Sequence, residues 1–430
     1  MKILVIGSGG REHAICNAFG KSPRVTEILC ANGNAGIAAT AECIDVRPTD
    51  ILGLAELASN RNVDLTFVGG ETSLALGIVD EFTKRGFRII GPGSDAARLE
   101  ASKSFAKDFM SRYGVPTARH ITADSPADAV RALESGGLGD SDLPVVVKAD
   151  GLAAGKGVVV ARDRSEAVEA IRGMVSLVGA DAAEKIVLEE CLIGKEVSLL
   201  MFVDGEDFAL MPPTRDHKRI GEGDTGRNTG GMGTFTDDSL LSNDEIKYIK
   251  EMMIRPTLRG CVSEGMPFRG ILFLGLMMTA EGPRLLEYNV RFGDPETQAI
   301  LVRLETGLLE ICEAMLDGKL ADLEIKWRPG SSACVVLAAG GYPAKPVVGD
   351  VIRGLEQAAA FDNVKIFHAG SSMSPSGEPL TAGGRVLGVT AVGADLNAAL
   401  SSAYKAVSYV RWPGMQFRRD IGAPADDAPA

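Results

Sequence analysis

Two oxygen-bearing side chains stand two residues apart in the segment Glu-Tyr-Asn-Val-Arg-Phe-Gly-Asp that begins at Glu287. On a strand, Glu287 and Asn289 point to the same face. Carboxylate and amide oxygens are hard donors, suited to a Mg²⁺ ion that bridges nucleotide phosphates. Arg291 lies on the same side if the strand continues, where it can stabilise charge on a transferring phosphoryl group. A structural ion pair between the glutamate and the arginine is the open alternative.

A second candidate is the glycine-rich segment Lys-Ala-Asp-Gly-Leu-Ala-Ala-Gly-Lys-Gly that begins at Lys148. It is not a P-loop, because three residues separate Gly151 from Gly155 and Gly157 follows Lys156. Glycine amides between two lysines suit a lid that closes over a polyphosphate. A solvated hairpin with incidental lysines is the alternative.

The segment Gly-Ser-Gly-Gly-Arg-Glu-His, which begins at Gly7, follows the first apolar run. It starts like a dinucleotide fingerprint, but Glu12 stands at the third glycine position and argues against NAD binding. A glycine pair that opens a helix can still present backbone N–H groups to an anion. Anion or substrate binding and a plain tight turn both stay open.

Two further stretches carry polar groups. The glycine-rich stretch between residues 214 and 233 separates two apolar segments, which favours a functional loop over a linker. In it, Asp216 is suited to accept an ammonium group. The strand that ends at Glu189 and Glu190, with Glu196 beyond it, is either a strand end with a solvated loop or a hinge that holds a nucleotide's base and ribose.

The elements that must position these groups begin with a strand–helix rhythm over residues 1 to about 100. Short β-branched runs near residues 3–6, 27–31, 64–68 and 87–90 alternate with helical patterns. This rhythm predicts a parallel sheet flanked by helices. Loops at the carboxyl ends of such strands form the usual ligand crevice.

Later segments predict elements of other kinds. Two apolar runs, Val145–Ala149 and Val158–Ala161, flank the glycine–lysine segment and predict a hairpin. Helical patterns predict long helices over Ala96–Tyr113 and Glu296–Asp317. The polar stretch between 214 and 233 shows too little alternation for a strand.

Composition limits the classes of function. Among 430 residues, 45 Lys plus Arg face 57 Asp plus Glu, and the net charge of −12 disfavours a nucleic-acid partner. The seven cysteines and four histidines show neither disulfide nor zinc spacing. The longest apolar stretch, Ile271 to Ala280, is too short to span a bilayer. We therefore expect a soluble, cytoplasmic protein with no membrane partner.

Taken in order, these segments resemble the ATP-grasp superfamily and, within it, the phosphoribosylamine–glycine ligase family. The resemblance covers nearly the whole chain, from Gly7 to Gly422. The motifs that carry it are Gly-Ser-Gly-Gly-Arg-Glu-His13, Lys-Ala-Asp-Gly-Leu-Ala-Ala-Gly-Lys-Gly157, Asp-His-Lys-Arg219, Asn228-Thr-Gly-Gly-Met-Gly233, Asn289-Val-Arg-Phe-Gly-Asp-Pro-Glu-Thr-Gln298, Ala-Ala-Gly-Gly-Tyr-Pro343 and Phe-His-Ala-Gly370.

The resemblance implies an α/β protein with the ATP-grasp fold. Residues 1–102 would form an N-terminal, Rossmann-like domain with a parallel sheet. Residues 103–326 would form the ATP-grasp domain, with a small mobile lid at about 120–192. Residues 327–430 would form a C-terminal α+β domain that ends in a disordered tail from about residue 423.

It also implies a reaction in which ATP, glycine and 5-phosphoribosylamine give glycinamide ribonucleotide, ADP and phosphate through glycyl phosphate. This is the second step of purine biosynthesis. The implied metal is Mg²⁺ or Mn²⁺, and we expect a monomer whose partners are these small molecules.

The family's functional residues carry over to positions in this chain. Glu287 and Asn289 are implied as metal ligands, and the catalytic set is Arg291, Asp216 and Lys148. The residues implied in ATP binding are Lys103, Lys148, Gly151, Gly155, Lys156, Gly157, Glu189, Glu190, Leu192 and Glu196. The residues implied in substrate binding are Gly9, Gly10, Arg11, Asn34, Gly36, Asp216, Arg291, Gly293 and Asp294.

The segment Val-Gly-Gly-Glu-Thr-Ser-Leu around Glu71 departs from the family, which usually reads Gly-Pro-Glu-x-Pro-Leu and so has a stiffer turn. Three rival functions are another ATP-grasp ligase or carboxylase, an NAD oxidoreductase and a non-catalytic nucleotide-binding scaffold. The Asp-His-Lys-Arg motif argues against the first and Glu12 against the second. The intact phosphoryl-transfer residues argue against the third.

Overall fold

The structure is a computed structural model of the chain, and it describes residues 1–152 and 157–423. The strands are β1 (Lys2–Gly7), β2 (Glu27–Asn32), β3 (Glu42–Cys43), β4 (Leu65–Val68), β5 (Ile89–Ile90), β6 (His120–Ala123), β7 (Val145–Ala149), β8 (Val158–Ala161), β9 (Ile186–Glu190), β10 (Lys195–Asp204), β11 (Asp207–Leu210), β12 (Thr214–Asp216), β13 (Arg219–Gly221), β14 (Thr225–Asn228), β15 (Gly233–Thr236), β16 (Arg269–Thr279), β17 (Gly282–Asn289), β18 (Ser331–Ala338), β19 (Val364–His368), β20 (Ser371–Met373), β21 (Pro379–Thr381) and β22 (Arg385–Gly393).

The helices follow the same chain order, and a π-helical turn at Lys250–Ile254 joins the ninth helix to the tenth. They are α1 (Gly10–Gly20), α2 (Ile51–Asn60), α3 (Glu71–Ala75), α4 (Ile78–Lys84), α5 (Ser94–Ala101), α6 (Lys103–Arg112), α7 (Pro126–Glu134), α8 (Arg164–Val178), α9 (Asn243–Ile249), α10 (Arg255–Ser263), α11 (Glu296–Leu301), α12 (Leu308–Leu316), α13 (Leu355–Ala359) and α14 (Leu396–Val407). Over the ranges described, none of these helices is long and apolar enough to cross a membrane.

The N-terminal sheet is parallel, with strand order β3-β2-β1-β4-β5. Its central strands are continuous apolar runs, because helices cover both faces of such a sheet. The predicted parallel sheet is therefore confirmed. Since β1 ends at Gly7 and α1 begins at Gly10, the first glycine segment lies at the carboxyl edge of the sheet.

A four-stranded antiparallel sheet, here called the lid sheet, has the order β6-β9-β7-β8. Helices α7 and α8 pack against it around a small core of aliphatic residues. Strands β7 and β8 pair as the predicted hairpin. The tip of that hairpin, with Gly155 and Lys156, lies outside the described residues.

The central sheet follows the order β17-β16-β10-β12-β15-β18-β22-β19. In addition, β11 pairs with the last four residues of β10, on the edge opposite β16. Strands β10 and β16 run antiparallel through ten residue pairs, from Lys195 to Asp204. Because β15 pairs with β18, the strands after residue 327 continue the same sheet. The expected tail falls mostly on residues 424–430, which lie outside the described part of the chain.

The prediction of one helix over Ala96–Tyr113 is wrong, because the chain is extended at Ser102 (φ −134°, ψ 113°). The Ser102 hydroxyl accepts a hydrogen bond from the Phe105 N–H at 3.1 Å, and the Asp150 carboxylate accepts one from the Ser104 N–H at 2.6 Å. These side-chain acceptors bond two of the backbone N–H groups in the first turn of a new helix, which have no partner within the helix. The break places Lys103 at the start of α6.

Two further predictions are corrected. The helix predicted over Glu296–Asp317 is two helices, α11 and α12, and Gly307 precedes the second with a non-helical backbone (ψ 128°). The polar stretch between 214 and 233 contains strand after all. Strands β12 and β15 join the central sheet through backbone hydrogen bonds, and β13 and β14 form a hairpin. Backbone pairing rather than side-chain alternation determines these short strands.

Candidate active site

Cations converge on Glu287 at the end of β17. Burial by itself raises the pKa of this carboxyl, but Lys218, Lys148, Lys103 and Arg291 outweigh it, in that order, and hold the pKa below its ordinary value. Glu287 is therefore an ionised carboxylate surrounded by positive charge. Such a setting suits the oxygens of a polyphosphate and a cation shared with them.

The residues present fit a divalent metal that is shared with phosphate. Within residues 1–152 and 157–423, no donor lies within hydrogen-bonding distance of the Glu287 carboxylate. The Asn289 carboxamide oxygen accepts one bond from Arg291 Nη2, at 3.1 Å, which leaves a lone pair. The same ranges hold no group of three His, Cys, Asp or Glu side chains that could hold a metal alone. Mg²⁺ commonly takes one or two protein oxygens and completes its shell with phosphates and water.

Arg291 lies just beyond β17, which ends at Asn289. Its Nη2 is 2.6 Å from a Glu100 oxygen, and its Nε is 3.2 Å from a Glu71 oxygen. Burial raises the pKa of Glu100, whose second oxygen accepts the Val290 N–H at 2.8 Å. The arginine therefore forms ion pairs with glutamates of α5 and α3, rather than with the glutamate of its own strand.

Lys148 belongs to a buried triad of Lys107, Glu189 and Lys148. Lys148 Nζ is 2.8 Å from Glu189 Oε1, and Lys107 Nζ is 3.0 Å from Oε2. Burial raises the pKa of Glu189, but the two lysines outweigh this and lower it. Burial lowers the pKa of Lys107 to about 8. Two cations thus share one buried carboxylate.

The hinge predicted at Glu189–Leu192 covers the last two residues of β9 and the first two residues of the turn that leads to β10. The carboxylate of Glu190 accepts from Arg119 N at 2.8 Å and Arg119 Nε at 2.6 Å, which fixes the strand end. Glu196, at the start of β10, lies 2.7 Å from Lys218 Nζ, and this carboxylate raises the pKa of the lysine. The turn that follows β9 is therefore fixed at its start by the contact of Glu190 with Arg119 and at its end by the ion pair of Glu196 with Lys218.

The first glycine segment is capped by its own glutamate. Gly9 N–H donates to Glu12 Oε2 at 2.6 Å, so Glu12 completes a capping box of α1. Arg11 Nη1 donates to the Phe292 carbonyl at 2.9 Å. A Cβ at Gly10 would lie 2.5 Å from Gln298 Nε2, so the segment packs closely against α11, which carries Gln298.

Asn34 fastens the second turn of the N-terminal region to the C-terminal strands. Its Nδ2 donates to the carbonyls of Ser8 and His368, both at 2.8 Å, and its Oδ1 accepts the Gly36 N–H at 2.9 Å. A Cβ at Gly36 would lie 2.5 Å from His13 Cε1. The turn therefore lies directly against α1 and β19.

Two buried carboxyl groups, those of Asp216 and Glu296, interact electrostatically near Gly293. Burial raises the pKa of Asp216, and the charge of Glu296 raises it further. Burial likewise raises the pKa of Glu296, whose side chain is almost fully covered. Next to them, Asp294 is 3.3 Å from Arg385 Nη2 and accepts from Gln298 at 2.8 Å. Lys218 lowers the pKa of both carboxyl groups but does not offset their burial, so the further positive charge of an ammonium group would stabilise their ionised forms.

In the glycine–lysine segment, Gly151 and Gly157 are described. The Gly151 N–H donates to Ala182 O at 3.3 Å, and its carbonyl accepts from Lys103 Nζ at 3.4 Å. Gly157 O accepts the Ala149 N–H at 2.8 Å. Gly155 and Lys156, which were also predicted to bind ATP, lie outside the described residues.

Sequence reasoning did not identify four residues of the site: Lys107, Glu100, Lys218 and Arg385. Lys107 follows Lys103 by one helical turn on α6, which is a usable signal because i and i+4 share a helix face. Lys218 stands inside the Asp-His-Lys-Arg motif. The other two have no local signal, because their partners lie far along the chain.

Three family models match the chain in consecutive segments. They are the N domain of phosphoribosylglycinamide synthetase over residues 1–100, its ATP-grasp (A) domain over residues 101–297 and its C domain over residues 332–424.

Curated relatives and solved structures agree with these models. Phosphoribosylamine–glycine ligase of Xanthomonas axonopodis pv. citri is 45% identical over 426 residues, which cover 98% of this chain and 97% of the relative. The enzyme of that name from Pseudomonas aeruginosa is 45% identical over 428 residues, with coverage of 98% and 97%. The crystal structure of the Thermotoga maritima enzyme of that name has a TM-score of 0.83 at 34% identity and covers 98% of this chain and 100% of that one.

A biotin carboxylase from Campylobacter jejuni shares the fold at a TM-score of 0.72 and 16% identity, with coverage of 98% and 93%. Its likeness concerns the fold alone. The site geometry, the three consecutive family models and the full-length relatives agree: this chain belongs to the phosphoribosylamine–glycine ligase family of the ATP-grasp superfamily.

Proposed function

We propose that this site joins glycine to 5-phosphoribosylamine with ATP, giving glycinamide ribonucleotide, ADP and phosphate. The observation that carries the proposal is the convergence of Lys218, Lys148, Lys103 and Arg291 on Glu287, beside the Asp216–Glu296 pair. The cations suit a triphosphate, and the carboxyl pair suits an ammonium group. An ATP-dependent ligase that acts on an amino acid needs both.

In the first step, a glycine carboxylate oxygen attacks the γ-phosphorus, and the bond from that phosphorus to ADP breaks. Lys103 and Lys148 balance the charge of the phosphates, and Arg291 faces the acyl phosphate that forms. A divalent cation held by Glu287 and Asn289 with phosphate oxygens would neutralise charge on the transferring group.

In the second step, the amine nitrogen of phosphoribosylamine attacks the carbonyl carbon of glycyl phosphate. The carbon–oxygen bond to phosphate breaks, and the amine loses a proton. Asp216 holds the glycine ammonium, supported by Gly293 and Asp294 in the turn after β17. Exclusion of water protects the acyl phosphate from hydrolysis between the two steps.

For the ribose phosphate we propose the first turn of α1 and the turn at Asn34 and Gly36. The Gly9 N–H is used by Glu12, so the anion would rely on Arg11 and on the other N–H groups of this turn, including that of Gly10. Asn34 acts here by shaping the turn, because both ends of its carboxamide are bonded within the protein.

For the nucleotide, we propose that the backbone of Glu189–Leu192 reads the adenine and that Glu196 meets the ribose. Gly151, Gly155, Lys156 and Gly157 would cover the phosphates. The proposal also includes Mg²⁺ or Mn²⁺ as the metal, the cytoplasm as the place of action and a monomer as the active form.

Phosphate release tests the reaction. With ATP and Mg²⁺ or Mn²⁺, glycine and freshly made phosphoribosylamine are supplied separately and then together. We expect stoichiometric release only with both substrates, and sedimentation of the active protein at the mass of one chain. Release with another carboxylate and amine, but not with this pair, would contradict the substrate assignment.

A further inference from the structure

The buried triad contains one lysine to which the proposed reaction gives no role. Lys107 lies on α6 with its side chain 2% exposed, as is that of Glu189. Lys148 is slightly more open, at 8%. The triad joins α6 to two strands of the lid sheet, since Lys148 is on β7 and Glu189 on β9.

Lys107 is fastened to the core at a second point. Its Nζ donates to the Thr117 hydroxyl at 2.7 Å, and that hydroxyl donates to the Leu285 carbonyl of β17 at 2.6 Å. Leu285 lies two residues before Glu287. Lys107 is therefore fixed relative to the strand that carries the proposed metal ligands.

Lys148 is held differently, because within the described residues its ammonium makes no second bond like the one between Lys107 and Thr117. Its ammonium is paired with Glu189 at 2.8 Å, and it is also among the cations that lower the pKa of Glu287. A lysine has one long flexible side chain and a compact charge that can change partners. Lys148 is thus the member of the triad suited to move toward a phosphate.

A buried carboxylate that loses its cation is strongly disfavoured. If Lys148 were the sole partner of Glu189, the approach of a nucleotide would have to break a buried ion pair. With Lys107 on the other oxygen, the carboxylate stays paired after Lys148 has left.

We propose that Lys107 is a positioning residue that keeps Glu189 paired and so frees the Lys148 ammonium for the nucleotide's phosphates. This inference rests on the proposed contact between Lys148 and the phosphates. Thr117 supports it by fixing the Lys107 ammonium.

The first test is Lys107→Met in the full chain, with steady-state kinetics for ATP and glycine. Lys148 then remains as the only cation on Glu189, so the KM for ATP should rise about tenfold, the usual value of a hydrogen bond to a charged group, while the KM for glycine stays unchanged. Lys185→Met is the matched control, because Lys185 is an exposed lysine beside the same lid strand. An unchanged KM for ATP in Lys107→Met would overturn the inference.

The second test is the double variant Lys107→Met with Glu189→Gln. A neutral amide no longer retains Lys148, so the KM for ATP should return most of the way to the wild-type value. A merely structural role predicts the reverse, because a second buried group has been altered. A double variant no better than Lys107→Met would therefore overturn the inference.

Two further variants keep every outcome decisive. If Lys107→Met does not fold, Thr117→Val replaces it, with a smaller rise in the KM for ATP expected and no rise contradicting the inference. Lys148→Met separates the two proposals. No change in that variant removes the phosphate contact and the inference with it, whereas a large change beside an unaffected Lys107→Met removes the inference alone.

Discussion

In the proposed assignment, the nucleotide side of the site (Lys103, Lys107 and Lys148) and the glycine side (Asp216 and Glu296) hold buried groups of opposite charge. On the nucleotide side, burial lowers the pKa of Lys103 and also that of Lys107, the latter to about 8. On the glycine side, burial raises the pKa of Asp216 and of Glu296. A group whose charged form is disfavoured by burial gains from a ligand of opposite charge. On each side, a ligand of opposite charge would therefore offset part of the cost of burying these groups.

This contrast suggests how one site would distinguish two small ligands of opposite charge. On this proposal, the phosphates of ATP would bind lysines whose charged form is disfavoured by burial, and the ammonium of glycine would bind carboxyl groups whose charged form is disfavoured in the same way. Such groups reduce the stability of the free protein, and ligand binding recovers it. Variants of each side should then affect one substrate and leave the other unaffected.

The largest expected effect is that of Glu287→Gln, which removes the carboxylate on which the cations of the nucleotide side converge. Turnover should fall by about two to three orders of magnitude, as when one preorganised electrostatic group is lost. Asn289→Ala should act in the same direction. Phosphate release measures it, and circular dichroism checks that the fold is retained.

The matched control is Glu281→Gln, at the exposed turn between β16 and β17. It should keep wild-type turnover. Turnover within a few-fold of wild type in Glu287→Gln would contradict the assignment of this residue as a metal ligand. It would also contradict its role as the carboxylate around which the cations of the nucleotide side are arranged.

A smaller effect is expected from Asp216→Asn on the glycine side. The KM for glycine should rise by about 10- to 100-fold, because a hydrogen bond to a charged group contributes about 1.5–3 kcal/mol. The KM for ATP should stay at its wild-type value. Asp207→Asn, at the exposed first residue of β11, serves as the control. Equal effects on both substrates would contradict the division of the site into two sides.

The two sides should also respond to opposite pH changes. A raised carboxyl pKa means that the Asp216–Glu296 pair takes up a proton at a higher pH than usual, so kcat/KM for glycine should fall first as the pH is lowered. A lowered lysine pKa means that Lys107 loses its proton early, so kcat/KM for ATP should fall as the pH rises through about 8.

Glu296→Gln sharpens this comparison. It removes the neighbouring charge that raises the pKa of Asp216, so the acid limb should move to lower pH while the alkaline limb stays in place. A shift of both limbs together would show that one group controls both substrates.

The smallest effect concerns the break between α5 and α6. Ser102→Ala should destabilise the protein by about 1 kcal/mol through loss of an N-cap and raise the KM for ATP slightly, because α6 carries Lys103 and Lys107. Ser125→Ala removes the similar cap of α7 and should cost comparable stability without changing the KM for ATP. Thermal unfolding and ATP kinetics together distinguish the two caps.

Continuous apolar runs made the strands predictable. Val145–Ala149 and Val158–Ala161 coincide with β7 and β8. A strand buried on one face shows alternating apolar residues in its sequence, and a strand buried on both faces shows a continuous apolar run. Helix ends were less predictable. The break at Ser102 depends in part on the Asp150 carboxylate, and nothing in the helical pattern of residues 96–113 records that distant acceptor.

The same distinction holds within the site. Glu287, Asn289 and the glycine–lysine segment carry recognisable patterns, whereas Glu100 pairs with Arg291 from 191 residues away and Arg385 reaches Asp294 from 91 residues away. Long-range ion pairs of this kind leave no mark in either local segment. Lys107, one turn after Lys103, and Lys218, inside the Asp-His-Lys-Arg motif, carried signals that the sequence alone could have used.

The pairing of β15 with β18 has a consequence for anyone who divides this protein into parts. Although family models separate an ATP-grasp segment from a C-terminal one, the hydrogen-bond ladder passes from Gly233–Thr236 into the C-terminal strands without interruption. A chain that stops at residue 326 would present β15 as a bare sheet edge, ready to pair with other molecules. For protein engineering, the C-terminal segment therefore cannot be treated as a removable module, because its strand β18 completes the central sheet beside β15.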